Sequence, residues 1–122
     1  MVQSSHTIIA VIRQSPYGST RARTALDIVL AAAAFEQPVS VLLCGEGVLQ
    51  LIPNQNGDGL GVKTMSKQLA SLPLYDIEHI YAEAEAIERY GIETVNAPLP
   101  VTSIAAKEIQ QLLVEHDHVI GL

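Results

Sequence analysis

The chain has 122 residues, 48% of them hydrophobic and 16% charged, and its seven basic against thirteen acidic side chains give a net charge of −6. That length suits one ordinary domain, and the apolar content suits a packed core rather than a disordered tail or a coiled coil. The acidic balance argues against direct nucleic-acid binding, where phosphate contacts need clustered Lys and Arg.

Cys44 is the only cysteine, which rules out an intrachain disulfide and a four-thiolate zinc site. Met1 to His6 lack the basic start and apolar run of a signal peptide. No stretch approaches the roughly 18–20 unbroken apolar residues of a membrane span. The expectation is a small, soluble, cytoplasmic domain covering residues 1–122.

Thr7 to Ile12 is β-branched and nearly continuous in its apolar character, as in strands buried on both faces of a parallel sheet. Pro16 and Gly18 break it, and Ser19 or Thr20 is placed to cap a helix. Ala22, Ala25, Leu26, Val29 and Ala33 form a stripe of helical period, halted at Gln37-Pro38. Val39 to Cys44 reads as a second buried strand, completing a βαβ unit with a right-handed crossover.

Gly45-Glu46-Gly47 leads into a short apolar turn, Val48 to Ile52, before a polar, glycine-rich loop from Asn54 to Gly61. Met65, Leu69 and Leu72 suggest a further helix ended by Pro73. Ile77 to Tyr81 alternates like a third strand, and Glu83 to Tyr90 reads as a helix stopped by Gly91. Ile92 to Val95 suggests a short strand. Ser103 is placed to cap a helix presenting Ala105, Ile109, Leu112, Leu113 and His116 on one face, and Val119 to Leu122 closes the chain as a strand. The pattern predicts a three-layer α/β fold with a mainly parallel sheet of four or five strands flanked by helices.

Four features could carry chemistry. Cys44 sits at the carboxyl end of a strand, where such sheets bind ligands, but its sequence neighbours are apolar or acidic, and both raise a thiol pKa. Glu115-His116-Asp117-His118 offers metal-ligand types, yet consecutive residues do not converge on one ion, and a solvated turn is the simpler reading. The Ser15 to Arg21 loop could hold an anion at a helix start, although neither it nor Gly57 to Gly61 has a phosphate-binding spacing. Asp76, Glu78, Glu83, Glu85, Glu88 and Glu93 form an acidic run, with Tyr75, Tyr81 and Tyr90 in or beside it, that reads as a solvated face or a docking surface. No residue is singled out as catalytic, cofactor-binding or metal-binding, and no cofactor is expected. A self-sufficient thiol carrier using Cys44 and an anion-binding module are the competing readings.

Pro16-Tyr17-Gly18, Ala25-Leu26-Asp27, Gly47-Val48-Leu49-Gln50-Leu51-Ile52-Pro53 and Leu74-Tyr75-Asp76-Ile77-Glu78 occur in this order. Together they resemble the TusC/DsrF branch of the DsrE-like sulfur-relay family, and the likeness runs from about Thr7 to Leu122. It implies a subunit of a TusBCD-type complex, a dimer of heterotrimers with TusB-like and TusD-like sister subunits. Through that complex, persulfide sulfur passes from donor to acceptor proteins for 2-thiolation of the tRNA wobble uridine. A DsrF-type role in sulfur oxidation is the alternative within the family. The resemblance also implies that a sister subunit's cysteine, just after the third strand at a helix start, carries the sulfur. In this chain that place falls at or next to Glu83, so the carrier thiol is absent and a non-carrier subunit is expected.

Overall fold

The computed structural model describes residues 7–13, 21–34, 38–52, 70–75, 77, 79–97 and 99–121. Five strands form one sheet: β1 (Ile8–Ile12), β2 (Val39–Leu43), β3 (His79–Glu83), β4 (Thr102–Ile104) and β5 (His118–Gly121). Their spatial order is β4-β3-β2-β1-β5, and every neighbouring pair is parallel. Helices α1 (Arg21–Ala34), α2 (Ala84–Tyr90) and α3 (Ala106–Glu115) connect them, with 3-10 turns at Gly45–Leu51, Leu72–Tyr75 and Thr94–Asn96. The expected α/β architecture, a parallel sheet flanked by helices, is the one observed, with five strands.

The winding explains the layers. The chain steps from β1 through β2 and β3 to β4 in one direction, then returns to place β5 on the far side of β1. Right-handed crossovers taken in opposite directions cover opposite faces. One face accordingly buries Ala10, Ile12, Val41, Leu43, Ile80 and Ala82 against Val29 of α1, Val48 and Leu51 of the 3-10 turn, and Ala86 of α2. The other buries Ile9, Val11 and Leu42 with Ile104, and Ile109, Leu112 and Leu113 of α3 pack on it. Alternate residues of β1 and β2 thus serve two cores, which is why both strands read as unbroken apolar runs. Each fully buried Leu or Ile contributes about 2–3 kcal/mol through area removed from water.

The stripe expected on α1 is observed at Val29 and Ala33, while the side chains of Ala22, Ala25 and Leu26 lie outside the described part. The caps Ser19 and Thr20, the loop Asn54 to Gly61, and Met65 and Leu69 also lie outside it. Residues 70 and 71 are helical and run into the 3-10 turn that buries Leu72. The third strand begins two residues later than its alternation suggests, at His79 rather than Ile77. Gly91 stops α2 as expected: it adopts φ 62°, with Gly91 N–H donating to Glu88 O (3.2 Å) and Ile92 N–H to Ile87 O (3.0 Å). This is the Schellman arrangement, closed by the buried side chain of Ile92.

Two local expectations are corrected. The segment Ile92 to Val95 is not a strand: the chain leaves α2 through that left-handed turn and enters the 3-10 turn Thr94–Asn96. Ser103 does not cap a helix, because its backbone pairs with Ala82 in the edge strand β4. The helix starts at Ala106, and Glu108 Oε1 accepts the Ala105 N–H at 3.1 Å in place of a hydroxyl cap. No helix among the described residues is long and apolar enough to cross a membrane.

Gly47 is where the fold tolerates no side chain. A Cβ there would clash with Ile12 O, a backbone atom that cannot swing away. At Gly91 a Cβ meets nothing within 4 Å and only the positive φ opposes it. Gly47→Ala is therefore expected to destabilise by about 3 kcal/mol or more and Gly91→Ala by only about 1–2 kcal/mol. Urea unfolding of the two variants checks the order.

Candidate functional site

Parallel strands bring their carboxyl ends to one edge of the sheet, and three charged or nucleophilic side chains meet there. Arg13 follows β1, Cys44 follows β2 and Glu83 ends β3. The register aligns Ile12 with Leu43 and Leu43 with Ala82, so these residues occupy neighbouring positions across the three central strands. Glu83 is also the residue immediately preceding α2.

The turn after β2 is held by its own backbone. Cys44 N–H donates to Ile12 O (3.0 Å), and Gly47 N–H donates to Cys44 O (2.8 Å). Between them, Gly45 (φ 51°) donates its N–H to Glu83 Oε1 at 3.0 Å. A charge-assisted hydrogen bond thus ties the turn after β2 to the end of β3. Cys44 is a half-buried free thiol whose side chain packs against the second core, as do Tyr81 and the apolar side chains of α3. Burial pushes its pKa up, the Glu83 carboxylate pushes it further, and the Arg13 guanidinium pulls it partly back. The net direction is upward, away from a thiolate at neutral pH.

Neither charged neighbour of Cys44 was legible from local sequence. Arg13 and Glu83 are distant along the chain and become neighbours only through the parallel register. The readable signal was that each directly follows, or ends, a strand.

At the opposite edge His116 serves structure. His116 Nδ1 lies 2.7 Å from Leu112 O, to which it donates, and Nε2 lies 3.2 Å from the Ser40 hydroxyl. Both ring nitrogens of His116 are therefore engaged. Asp117 accepts from Thr7 N–H (2.9 Å) and Thr7 Oγ1 (3.3 Å), while its own N–H donates to Thr7 Oγ1 (3.0 Å). Glu115 to His118 is thus the turn that docks β5 against β1, and no metal-ligating group of three is found among the described residues. A cavity of about 440 Å³ opens beside it, lined by Ser40, His79, Tyr81, Leu112, Glu115 and His116. The rings of His79 and Tyr81 stack there at 6.4 Å.

Of the acidic run, Glu88 and Glu93 are exposed. Glu83 points to Gly45, Glu85 pairs with Arg89 on α2 (3.0 Å), and Asp76 and Glu78 lie outside the described residues. Tyr75 and Tyr90 are exposed, whereas Tyr81 is half-buried. Of the loop Ser15 to Arg21, only the backbone of Arg21 is described; Gly57 to Gly61 lies outside.

The sequence profile of the DsrE/DsrF-like family matches residues 6–122. The chain belongs to the DsrE/DsrF-like family. It is 33% identical over 118 residues to a protein of Pseudomonas aeruginosa named Protein TusC homolog, covering 97% of this chain and 99% of that one. It is 39% identical over 80 residues to the intracellular sulfur oxidation protein DsrF of Allochromatium vinosum, covering 66% of this chain and 59% of that one. The fold matches the crystal structure of the YchN protein from E. coli with a TM-score of 0.79, at 20% identity, over 96% of this chain and 99% of that chain. The membership inferred from Gly47 to Pro53 and Leu74 to Glu78 is thereby established.

The His116 contacts yield a stability prediction. Ser40 is 7% exposed, so removing the imidazole strands a buried hydroxyl and a helix-end carbonyl. His116→Ala is expected to cost about 1–3 kcal/mol. In a Ser40→Ala background the cost should shrink, and a double-mutant cycle in urea measures the difference.

Proposed function

We propose that this chain is a non-carrier subunit of a sulfurtransferase complex. The complex relays persulfide sulfur toward 2-thiolation of the tRNA wobble uridine, and this subunit acts beside TusB-like and TusD-like sister subunits. Family membership and the name of the relative that matches nearly end to end support the relay. The observation that carries the non-carrier role is Glu83. It stands at the junction of β3 and α2, where the resemblance puts the carrier thiol of the sister subunit, and its carboxylate is hydrogen-bonded to Gly45. A carboxylate cannot hold a sulfane sulfur. The one thiol of the chain lies on the neighbouring strand end, half-buried and shifted away from ionisation.

In this reading the protein contributes surface rather than chemistry. Leu74, Tyr75, Tyr90 and Val95 are exposed, and tyrosine is a frequent anchor of protein interfaces. A DsrF-type role in sulfur oxidation is the second reading, favoured by the Allochromatium vinosum relative, although that likeness spans a smaller part of both chains.

Deletion of the gene in its own host, with 2-thiouridine measured in bulk tRNA, tests the assignment. Loss of the 2-thio modification, restored equally by the wild type and by Cys44→Ser, is the expected result. Normal thiolation with failure to oxidise reduced sulfur would favour the second reading. Failure of Cys44→Ser to restore the modification would make the chain a carrier in its own right.

A further inference from the structure

We propose that Glu83 is a specificity-determining residue which, fixed on the Gly45 N–H, closes Cys44 to sulfane sulfur and directs the cargo past this subunit. The identity of the cargo rests on the reading given above; the closing of the thiol stands on the geometry of the strand ends.

A thiol accepts sulfur when its thiolate attacks the terminal sulfur of a persulfide. The bond between Cys44 Sγ and that sulfur forms, the donor S–S bond breaks, and the donor departs as a thiolate with the electron pair. Two things favour the step: a donor N–H or cation beside the attacking sulfur, and no like charge facing the incoming anion. At this edge the N–H groups of Cys44, Gly45 and Gly47 are committed to Ile12 O, Glu83 Oε1 and Cys44 O. Glu83 occupies the Gly45 donor with a negative charge of its own. It therefore disfavours the thiolate and repels an anionic persulfide at the same place.

Among the described residues, the other groups around the thiol do not cancel this. Arg13, from the end of β1, is exposed and pulls in the opposite direction. Glu46, in the following turn, is exposed and acidic. From α3 the cluster shared with Cys44 receives only Ile109, Leu112 and Leu113. The carboxylate is the element that a single substitution converts, because glutamine keeps the oxygen acceptor for Gly45 and removes the charge.

The test measures Cys44 in the purified full-length chain, in wild type, Glu83→Gln, Glu83→Ala and Arg13→Gln, with circular dichroism and thermal melts confirming that each is folded. Mass spectrometry follows alkylation by iodoacetamide across pH and sulfur uptake from inorganic polysulfide. Glu83→Gln is expected to lower the alkylation midpoint and speed alkylation near neutral pH by about two- to threefold. The thiolate fraction rises roughly tenfold per unit of pKa while intrinsic nucleophilicity falls in part. Polysulfide uptake should rise by a larger factor than alkylation, since that reagent also sheds a repulsion. Arg13→Gln should slow both reactions.

An unchanged midpoint and unchanged rates in Glu83→Gln overturn the proposal. So does a gain confined to Glu83→Ala, which would trace the effect to a loosened turn rather than to charge. Neither result bears on membership of the complex, which the deletion experiment decides separately.

Discussion

The hydrogen bond from Gly45 N–H to Glu83 joins the carboxyl ends of β2 and β3 and determines what the sheet edge can do. In a parallel sheet the backbone donors just beyond the strands are natural anion sites, since they point out of the edge with no ladder partner. Here the N–H groups of Cys44, Gly45 and Gly47, in the turn after β2, are consumed from within. The turn folds back over β1 because Gly47 lacks a Cβ, which lets its backbone approach Ile12 O, and the same turn delivers Gly45 to the carboxylate. Cys44 is held in the middle by two backbone bonds. Among the described residues, the edge presents a carboxylate, an exposed guanidinium and a thiol shifted away from ionisation.

The amino edge is organised on a different principle. His116 ties the end of α3 to Ser40 of β2, and Asp117 ties β5 to the residue preceding β1. These contacts span long stretches of sequence, and they fasten an edge strand beside the second core, which among the described helices is covered by α3. No residue of α3 is fully buried, so this layer depends on its polar fasteners more than the opposite one does. The chain spends its imidazole there on closure, which accounts for histidines and carboxylates standing together without forming a metal site among the described residues.

What the sequence made legible follows from how many cores each segment serves. β1 and β2 feed two faces at once, so Ile8 to Ile12 and Val39 to Leu43 announce themselves as unbroken apolar runs. α2 was equally readable, because Glu85–Arg89 pairing and Gly91 are local features. β4 was not. Its three residues, Thr102–Ile104, form an edge strand with two exposed hydroxyl residues, and only pairing with β3 makes them a strand at all. Ser103 therefore looked like a helix cap, and Glu108 provides that service instead. The meeting of Arg13, Cys44 and Glu83 was hidden for a related reason: proximity across parallel strands is set by register, which no window along the chain can display.

A fold shared with YchN at 20% identity cannot itself dictate whether a subunit handles sulfur. The dictating element is smaller. At the end of β3 a thiol would be a nucleophile, whereas the carboxylate present is an acceptor that binds the adjacent backbone and repels anions. Transfer of sulfane sulfur is favoured at a thiol that is substantially ionised at ambient pH and meets the donor with little repulsion. Under the proposed reading, a relay gains direction if only one subunit offers such a thiol and its neighbours do not compete. A second reactive cysteine nearby would trap part of the cargo in a side equilibrium. On that reading, keeping this subunit transparent to sulfur needs no missing structure, only an acid where the resemblance puts the carrier's thiol and a committed N–H beside Cys44.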